Sequence, residues 1–520
     1  MKWYWKILVG LGCFVMLIVL LNIGLNLWIK FQLPKRINNE NDSAYSVTYK
    51  NLEVSLLNSN ILATDVIIVP KAALKDTLQK AGIYAKVRTI EVKGFKSWDL
   101  VFRDKIKAES IIIDQPKLML YKKNEKVIND SKSIRKSVVA PFEKIIAVPN
   151  IFLHHGDLKI MYVKNNTPIL SVHNINLQLD GILITDHILE QKIPFQFRNY
   201  KLSCDRLYYR PNAFYHIRTK RIKASKTDFK VRHFEMIPEY SRRAFVAKIP
   251  KERDLFTVLC DSISASKIDW GFNGNDFFFH SNTVALDLVA ANIYRSKQPA
   301  DDLNKKYLYN KLLRDLKFDL KIDTLKIRRS MLEYEEQKAS EAVSGKLSFS
   351  QFNLTANHIC SGFKKQKLPD LNIKINCRFM NVSPLAIDWK FNVMDQSDGF
   401  QIKGTLSHFD IDKITPFSKP HLNVTAKGLM DEVHFNFTGN DRHAAGDFAV
   451  KYDDLKLAIY KKDDRKKKNK LLTFVASIFV KKDTKEKVKD AHIEVERIPE
   501  KSFYNLLWRS IAEGLKKILV

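Results

Sequence analysis

The sequence predicts a mostly β protein: a long twisted antiparallel sheet curled into a groove, one N-terminal transmembrane helix, and a few short helices including a C-terminal amphipathic one. Three observations carry this expectation. Apolar residues recur at every second position through most of the chain, an uncharged run lies near its start, and stretches with helical spacing are scarce. With 520 residues, 45% of them apolar and 28% charged, the chain can build a large core, and wholesale disorder is excluded.

The uncharged run extends from Ile7 to Ile29, with Lys2 and Lys6 before it and Lys30, Lys35 and Arg36 after it. As a helix rising about 1.5 Å per residue, it is long enough for a hydrocarbon layer of about 30 Å. Trp3, Tyr4, Trp5 and Trp28 stand at its ends, where amphipathic rings favour the headgroup level. The run exceeds the apolar part of a cleavable signal, and no small-x-small site follows it before Leu33-Pro34. A cytosolic tail over 1–6 and an uncleaved anchor over 7–29 are therefore expected, with the remainder translocated.

Beyond the anchor, period-two patterns appear in Val284, Leu286 and Leu288; in Phe318, Leu320 and Ile322; in Leu371, Ile373 and Ile375; and in Val433, Phe435 and Phe437. Such alternation makes strands with one apolar and one wet face. Turn residues in NGND, DQSDG and GNDRHAAGD separate the runs. Helices are expected over Lys71–Ala81, Asp301–Leu316 and Ser502–Leu519, the last with Ser502 as N-cap. This divides the chain into an N-terminal β region over 30–300, a C-terminal β region over 301–500 and an amphipathic helix over 501–520.

One-sided strands need a cover for their apolar face, and so few helices leave that cover to another sheet, to the sheet itself closed as a barrel, or to an apolar ligand. Val424, Val433, Phe435, Phe437, Phe448 and Val450 are the candidates for an inward, hydrocarbon-binding face. The 87 basic residues against 57 acidic ones favour an anionic partner. Seven of the ten residues from Lys461 to Lys470 are basic, and Lys461, Lys462, Arg465, Lys466, Lys467 and Lys468 are candidates for headgroup contact, as is Trp508 in the terminal helix. The run lacks interleaved aromatics, so nucleic acid is not expected as a partner. An exposed hairpin loop explains the basic run equally well, and packing on the sheet is the commoner fate of a terminal helix.

Residues 45–70 (YSVTYKNLEVSLLNSNILATDVIIVP) follow the anchor directly and resemble the opening module of the AsmA/TamB-like superfamily. The segments KIKAESIIIDQPKLMLY at 105–121, QIKGTLSHFDIDKITPFSKP at 401–420, GLMDEVHFNFTGN at 428–440 and AAGDFAVKYDDLKLAIY at 444–460 are similar to later modules of that family, and the final FYNLLWRSIAEGLKKIL is similar to the terminal helix of members from Bacteroides-like bacteria. The resemblance implies an inner-membrane-anchored periplasmic protein that holds lipid acyl chains in a β-groove and serves outer-membrane lipid homeostasis. Membrane lipids, and other envelope proteins, would be its partners. The alternative is an assembly or scaffold factor that engages β-rich outer-membrane clients through sheet edges.

Enzymatic chemistry is not expected. H-E-x-x-H, G-x-S-x-G and G-x-G-x-x-G are missing, and Ser344-Gly345-Lys346 lacks the upstream glycine of a phosphate loop because Ser340 stands there. His154 and His155 should diverge as neighbours in a strand, and Asp453-Asp454 read as turn acids or a bulge. No metal or cofactor is expected. Cys13, Cys204, Cys260, Cys360 and Cys377 are widely spaced, and only Cys360 and Cys377 could face each other across neighbouring strands.

Overall fold

The computed structural model describes residues 45–55, 58–75, 80–95, 106–122, 146–182, 197–338, 343–460, 483–484 and 487–519, together with 16, 23 and 24. The expected anchor over 7–29 lies outside the described residues apart from Met16, Ile23 and Gly24. Among the described residues no helix is long and apolar enough to cross a membrane. The chain forms two compact units, Met1–Pro211 with Ile217–Lys226, and Asn212–His216 with Thr227–Val520. The expected division at residue 300 falls inside the second.

The first unit is built from β1 (Tyr45–Thr48), β2 (Asn51–Ser55), β3 (Asn60–Pro70), β4 (Gly82–Lys93), β5 (Ile106–Lys107), β6 (Ser110–Asp114), β7 (Lys117–Lys122), β8 (Ile146–Ala147), β9 (Asn150–Tyr162), β10 (Pro168–Asp180) and β11 (Asn199–Asn212). Strand β3 pairs antiparallel with β1, β2 and β4, and β9, β10 and β11 form an antiparallel series. Strands β6 and β7 are one track interrupted at Gln115-Pro116, where proline has no N–H to give, and both pair parallel to β9. A helix, α1 (Lys71–Lys75), follows Pro70 and covers the start of the expected Lys71–Ala81, of which residues 76–79 lie outside the described residues and Lys80 and Ala81 are not helical. Leu52, Val54, Ile61, Val92 and Ile111 form the core of this unit. Strand β12 (Tyr215–Ser225) contributes residues to both units.

The second unit contains β13 (Asp228–Pro238), α2 (Arg242–Lys248), β14 (Leu255–Ser266), β15 (Asp269–Asn273), β16 (Asp276–Ser296), α3 (Tyr309–Arg314), β17 (Asp319–Gln337), β18 (Gly345–Cys360), β19 (Leu371–Phe379), β20 (Ser383–Phe391), β21 (Phe400–Asp410), α4 (Thr415–Leu422), β22 (Val424–Gly439), β23 (His443–Ile459), β24 (Lys489–Glu496) and α5 (Phe503–Leu519). From β17 to β24 each strand pairs antiparallel with the next. The exception is β16 with β17, which run parallel and are joined by a crossover carrying α3. The pairing is thus mixed, and the wholly antiparallel expectation is corrected. A crossover re-enters beside the start of the strand it left, which a hairpin cannot do.

The expected helix over Asp301–Leu316 shrinks to Tyr309–Arg314. Its first half stays extended because other bonds claim it. Lys306 N donates to Pro499 O, Lys306 Nζ pairs with Asp302, and Leu308 has φ −74° and ψ 163°. The terminal helix keeps nearly its expected span. It lays Phe503, Leu506, Ser510, Gly514 and Ile518 on β23 and β24. Gly514 is required there, since a β-carbon would collide with the Phe448 ring.

Across β13, β16, β17 and β18 runs a crease where His233 (φ 50°), Leu288 (φ 53°), Arg329 (φ 51°) and Gln351 (φ 48°) adopt left-handed backbone. The β16–β17 ladder skips Leu288 and Arg329, and its offset is unchanged on both sides of them. Each strand therefore spends one extra residue at the same place, so alternation restarts with the same face apolar: Leu286 and Val289 both stay on it.

Candidate functional site

The six expected groove residues lie on β22 and β23, and protein already covers them. Val433, Phe435, Phe437, Phe448 and Val450 are core residues, with Phe448 and Val450 fully enclosed, while Val424 at the start of β22 is half-buried. Part of the cover is α5, for which the sequence offered headgroup contact or packing on the sheet. Trp508 is exposed on this helix, as is Tyr504, and is set edge-on to Phe417 with ring centroids 5.7 Å apart. The basic residues Lys461, Lys462, Arg465, Lys466, Lys467 and Lys468 lie outside the described residues.

Strands β14 to β19 carry the same apolar face further along the sheet. Register places Ala265, Val284, Leu325, Ala356 and Ile373 side by side across β14, β16, β17, β18 and β19. A second row beside it holds Ile263, Leu286, Ile327, Leu354 and Ile375. Val258, Ala291, Leu332, Phe349 and Phe379 form a third beyond the crease. Apart from the small Ala265 and Ala356, these side chains are only half-buried. Backbone groups beneath them are tied up in the ladders, so what the face offers is hydrocarbon.

The reverse face of the same strands is polar. Arg232 pairs with Asp261 at 3.0 Å, Arg328 with Asp287 at 2.8 Å, and Arg242 with Glu335 at 2.8 Å. At one strand end the apolar band stops at Arg295, which grips Asp254 through two bonds of 2.6 and 2.8 Å, with Glu336 in the neighbouring strand. The rows therefore continue crosswise, from strand to strand.

Following them leads to an aromatic wall. The first row reaches Trp389 on β20, which lies face to face with Phe503 of α5, centroids 4.6 Å apart and planes 8° apart. Tyr309 and Phe400 pack edge-on against this pair at 5.2 Å (to Trp389) and 5.1 Å (to Phe503). The second row passes Ile387 and meets Gly404, over which the Phe435 ring lies so closely that any β-carbon at 404 would strike it. In the third, Phe379 packs on buried Phe409 at 5.2 Å.

The first unit carries a row of the same kind by itself. Ile90, Ile113, Leu153, Leu177 and Leu202 neighbour one another across β4, β6, β9, β10 and β11, all half-buried.

The remaining candidates resolve as follows. His154 and His155 are both exposed, with ring centroids 6.3 Å apart. The left-handed backbone of His155 (φ 55°) removes the divergence expected of strand neighbours. Asp454 (φ 47°) makes the bulge proposed for the Asp453-Asp454 pair. Cys360 and Cys377 are free, buried thiols, and burial pushes Cys377 up to about 11. Among the described residues no group of three His, Cys, Asp or Glu could hold a metal ion.

On the polar face a hollow of about 310 Å³ is bordered by Asp388, Lys403, Thr405, His434, Asn436 and Asp447. His434 Nδ1 lies 3.2 Å from Thr405 Oγ1 and its Nε2 3.1 Å from Glu432. A hydroxyl, an imidazole and a carboxylate thus stand in line, yet the surrounding strands are laddered on both sides and present no pair of unused N–H groups to an oxyanion. No protein-family model matches the chain, and no curated protein matches it significantly.

Proposed function

We propose that the protein is a non-enzymatic, membrane-anchored lipid-binding protein, and that the apolar face of β14–β19 is where acyl chains lie. The observation that carries this reading is the contrast within one unit. From β20 onward Trp389, Ile402, Phe435, Phe437, Phe448 and Val450 are buried in a core shared with α5, whereas on β14 to β19 the rows are left half-covered apart from their two alanines. Exposed contiguous apolar surface marks a binding site. Each CH₂ laid on it contributes about 0.8 kcal/mol without any directed contact, which gives broad rather than selective affinity.

Three further features agree. The uncharged run at 7–29 would keep the chain at a bilayer, the formal charge of +30 attracts anionic headgroups, and the resemblance to the AsmA/TamB-like superfamily supports a periplasmic placement in an envelope that exports lipid to an outer membrane. The scaffold reading, in which clients add strands to sheet edges, has less support. At β24 the outward carbonyls of Glu496 and His492 already accept bonds from Arg509 and Lys517 of α5, at 2.7 and 2.9 Å.

Photo-crosslinking tests the reading directly. Probes at Leu325 and at Lys326 are neighbours in the chain and point to opposite faces. Lipid adducts at Leu325 and none at Lys326 are expected in membranes. Equal labelling, or labelling by protein alone, would remove the acyl-chain reading.

A further inference from the structure

The aromatic wall where the apolar rows end has a consequence for which lipids are held. Resting on the reading above, we propose that Trp389 and Phe503, with Phe435 over Gly404, form a stop that sets the length of the acyl chain the face accepts. The first row runs uninterrupted from Ala265 to Trp389, five strand spacings of about 4.8 Å, or roughly 24 Å. That is comparable with an extended long-chain acyl group. Arg295 with Asp254 at one strand end, and Asn282 with Asp323 3.3 Å apart at the other, are polar, so a chain lies crosswise and its methyl end meets the rings.

The occupant is an acyl chain rather than a partner's helix because the stop is built of flat rings locked by one another. Trp389 is held by Phe503 on its face and Tyr309 on its edge, and Phe503 in turn by Phe400. Side chains fixed from several sides make a rigid end plate, which selects by length. The face before it is a plain hydrocarbon track in which small Ala265 and Ala356 flank Val284 and Leu325. Such a track suits a slender flexible chain.

Two substitutions in the full-length protein test this in opposite senses. Phe503→Ala removes half of the stacked pair and opens the stop. Ile373→Trp, on the half-buried row one strand earlier, raises a wall before it. Lipids copurified with each protein in membrane nanodiscs are to be measured for acyl length by mass spectrometry. Phe503→Ala should enrich longer chains and Ile373→Trp shorter ones, each by about one strand spacing of 4.8 Å. Near-UV circular dichroism shows whether Phe503→Ala retains its fold, and if it does not, Ile373→Trp alone decides. Lipid bound with an unchanged length distribution in a folded variant overturns the stop and leaves the lipid reading standing. Wild-type protein that holds no lipid overturns the lipid reading itself.

Discussion

Glu335 gathers four hydrogen bonds on the polar face of the second unit. Its carboxylate accepts from Arg242 Nη1 and Nη2 at 2.9 and 2.8 Å, from Asn292 at 2.8 Å and from Ser344 at 2.9 Å. The Arg242 bonds foremost, helped by the amide and hydroxyl donors and opposed by burial, hold the carboxyl at about 2 against an ordinary value of 4.5. A lowered carboxyl stabilises the fold fully above its unfolded value and loses that contribution as pH falls through its folded one. Urea unfolding at a series of pH values should therefore show wild type losing stability between pH 4.5 and about 2 more steeply than Glu335→Gln. Parallel pH profiles would discard this account. Nothing in the residue type announces this site, nor the crease beside it. Leu288 and Arg329 are ordinary strand residues that the ladders skip, and the paired residues on either side of them hold them in left-handed backbone.

Among the elements, α5 does two jobs with one amphipathic pattern. Its apolar stripe packs on β23, β24, Trp389 and Phe400, and its basic residues blunt the last strand edge. Unpaired edges invite addition of another chain. The double variant Arg509→Ala, Lys517→Ala frees two carbonyls of β24 and should convert part of the protein to dimers or larger species in size-exclusion chromatography. A strictly unchanged elution profile would show that these bonds do not guard the edge. The span of α5 was legible because its periodicity agrees with its packing. That of α3 was not, since Asp302, Lys306 and Pro499 divert the preceding residues into tertiary bonds that local propensity cannot foresee.

Across the molecule, alternation revealed the strands and which of their side chains would share a face. Val433, Phe435 and Phe437 do share one. What alternation could not reveal was who covers it, because that depends on where α5 lands. The apolar surface left for a ligand lies on β14–β19, from strands equally visible in the sequence, and it became distinguishable only once the terminal helix had chosen its place.

The β16–β17 seam also bears on how the second unit comes together in time. Hairpin partners meet after short loops, whereas Asn292 and Glu333 across this seam are 41 residues apart. Joining them costs about 2 kcal/mol more chain entropy than closing a four-residue loop. Zippering should therefore proceed quickly on either side of the seam and pause at it. In pulsed hydrogen exchange during refolding, amides bridging β16 and β17 should gain protection after those of β21–β23, and simultaneous protection would contradict this order.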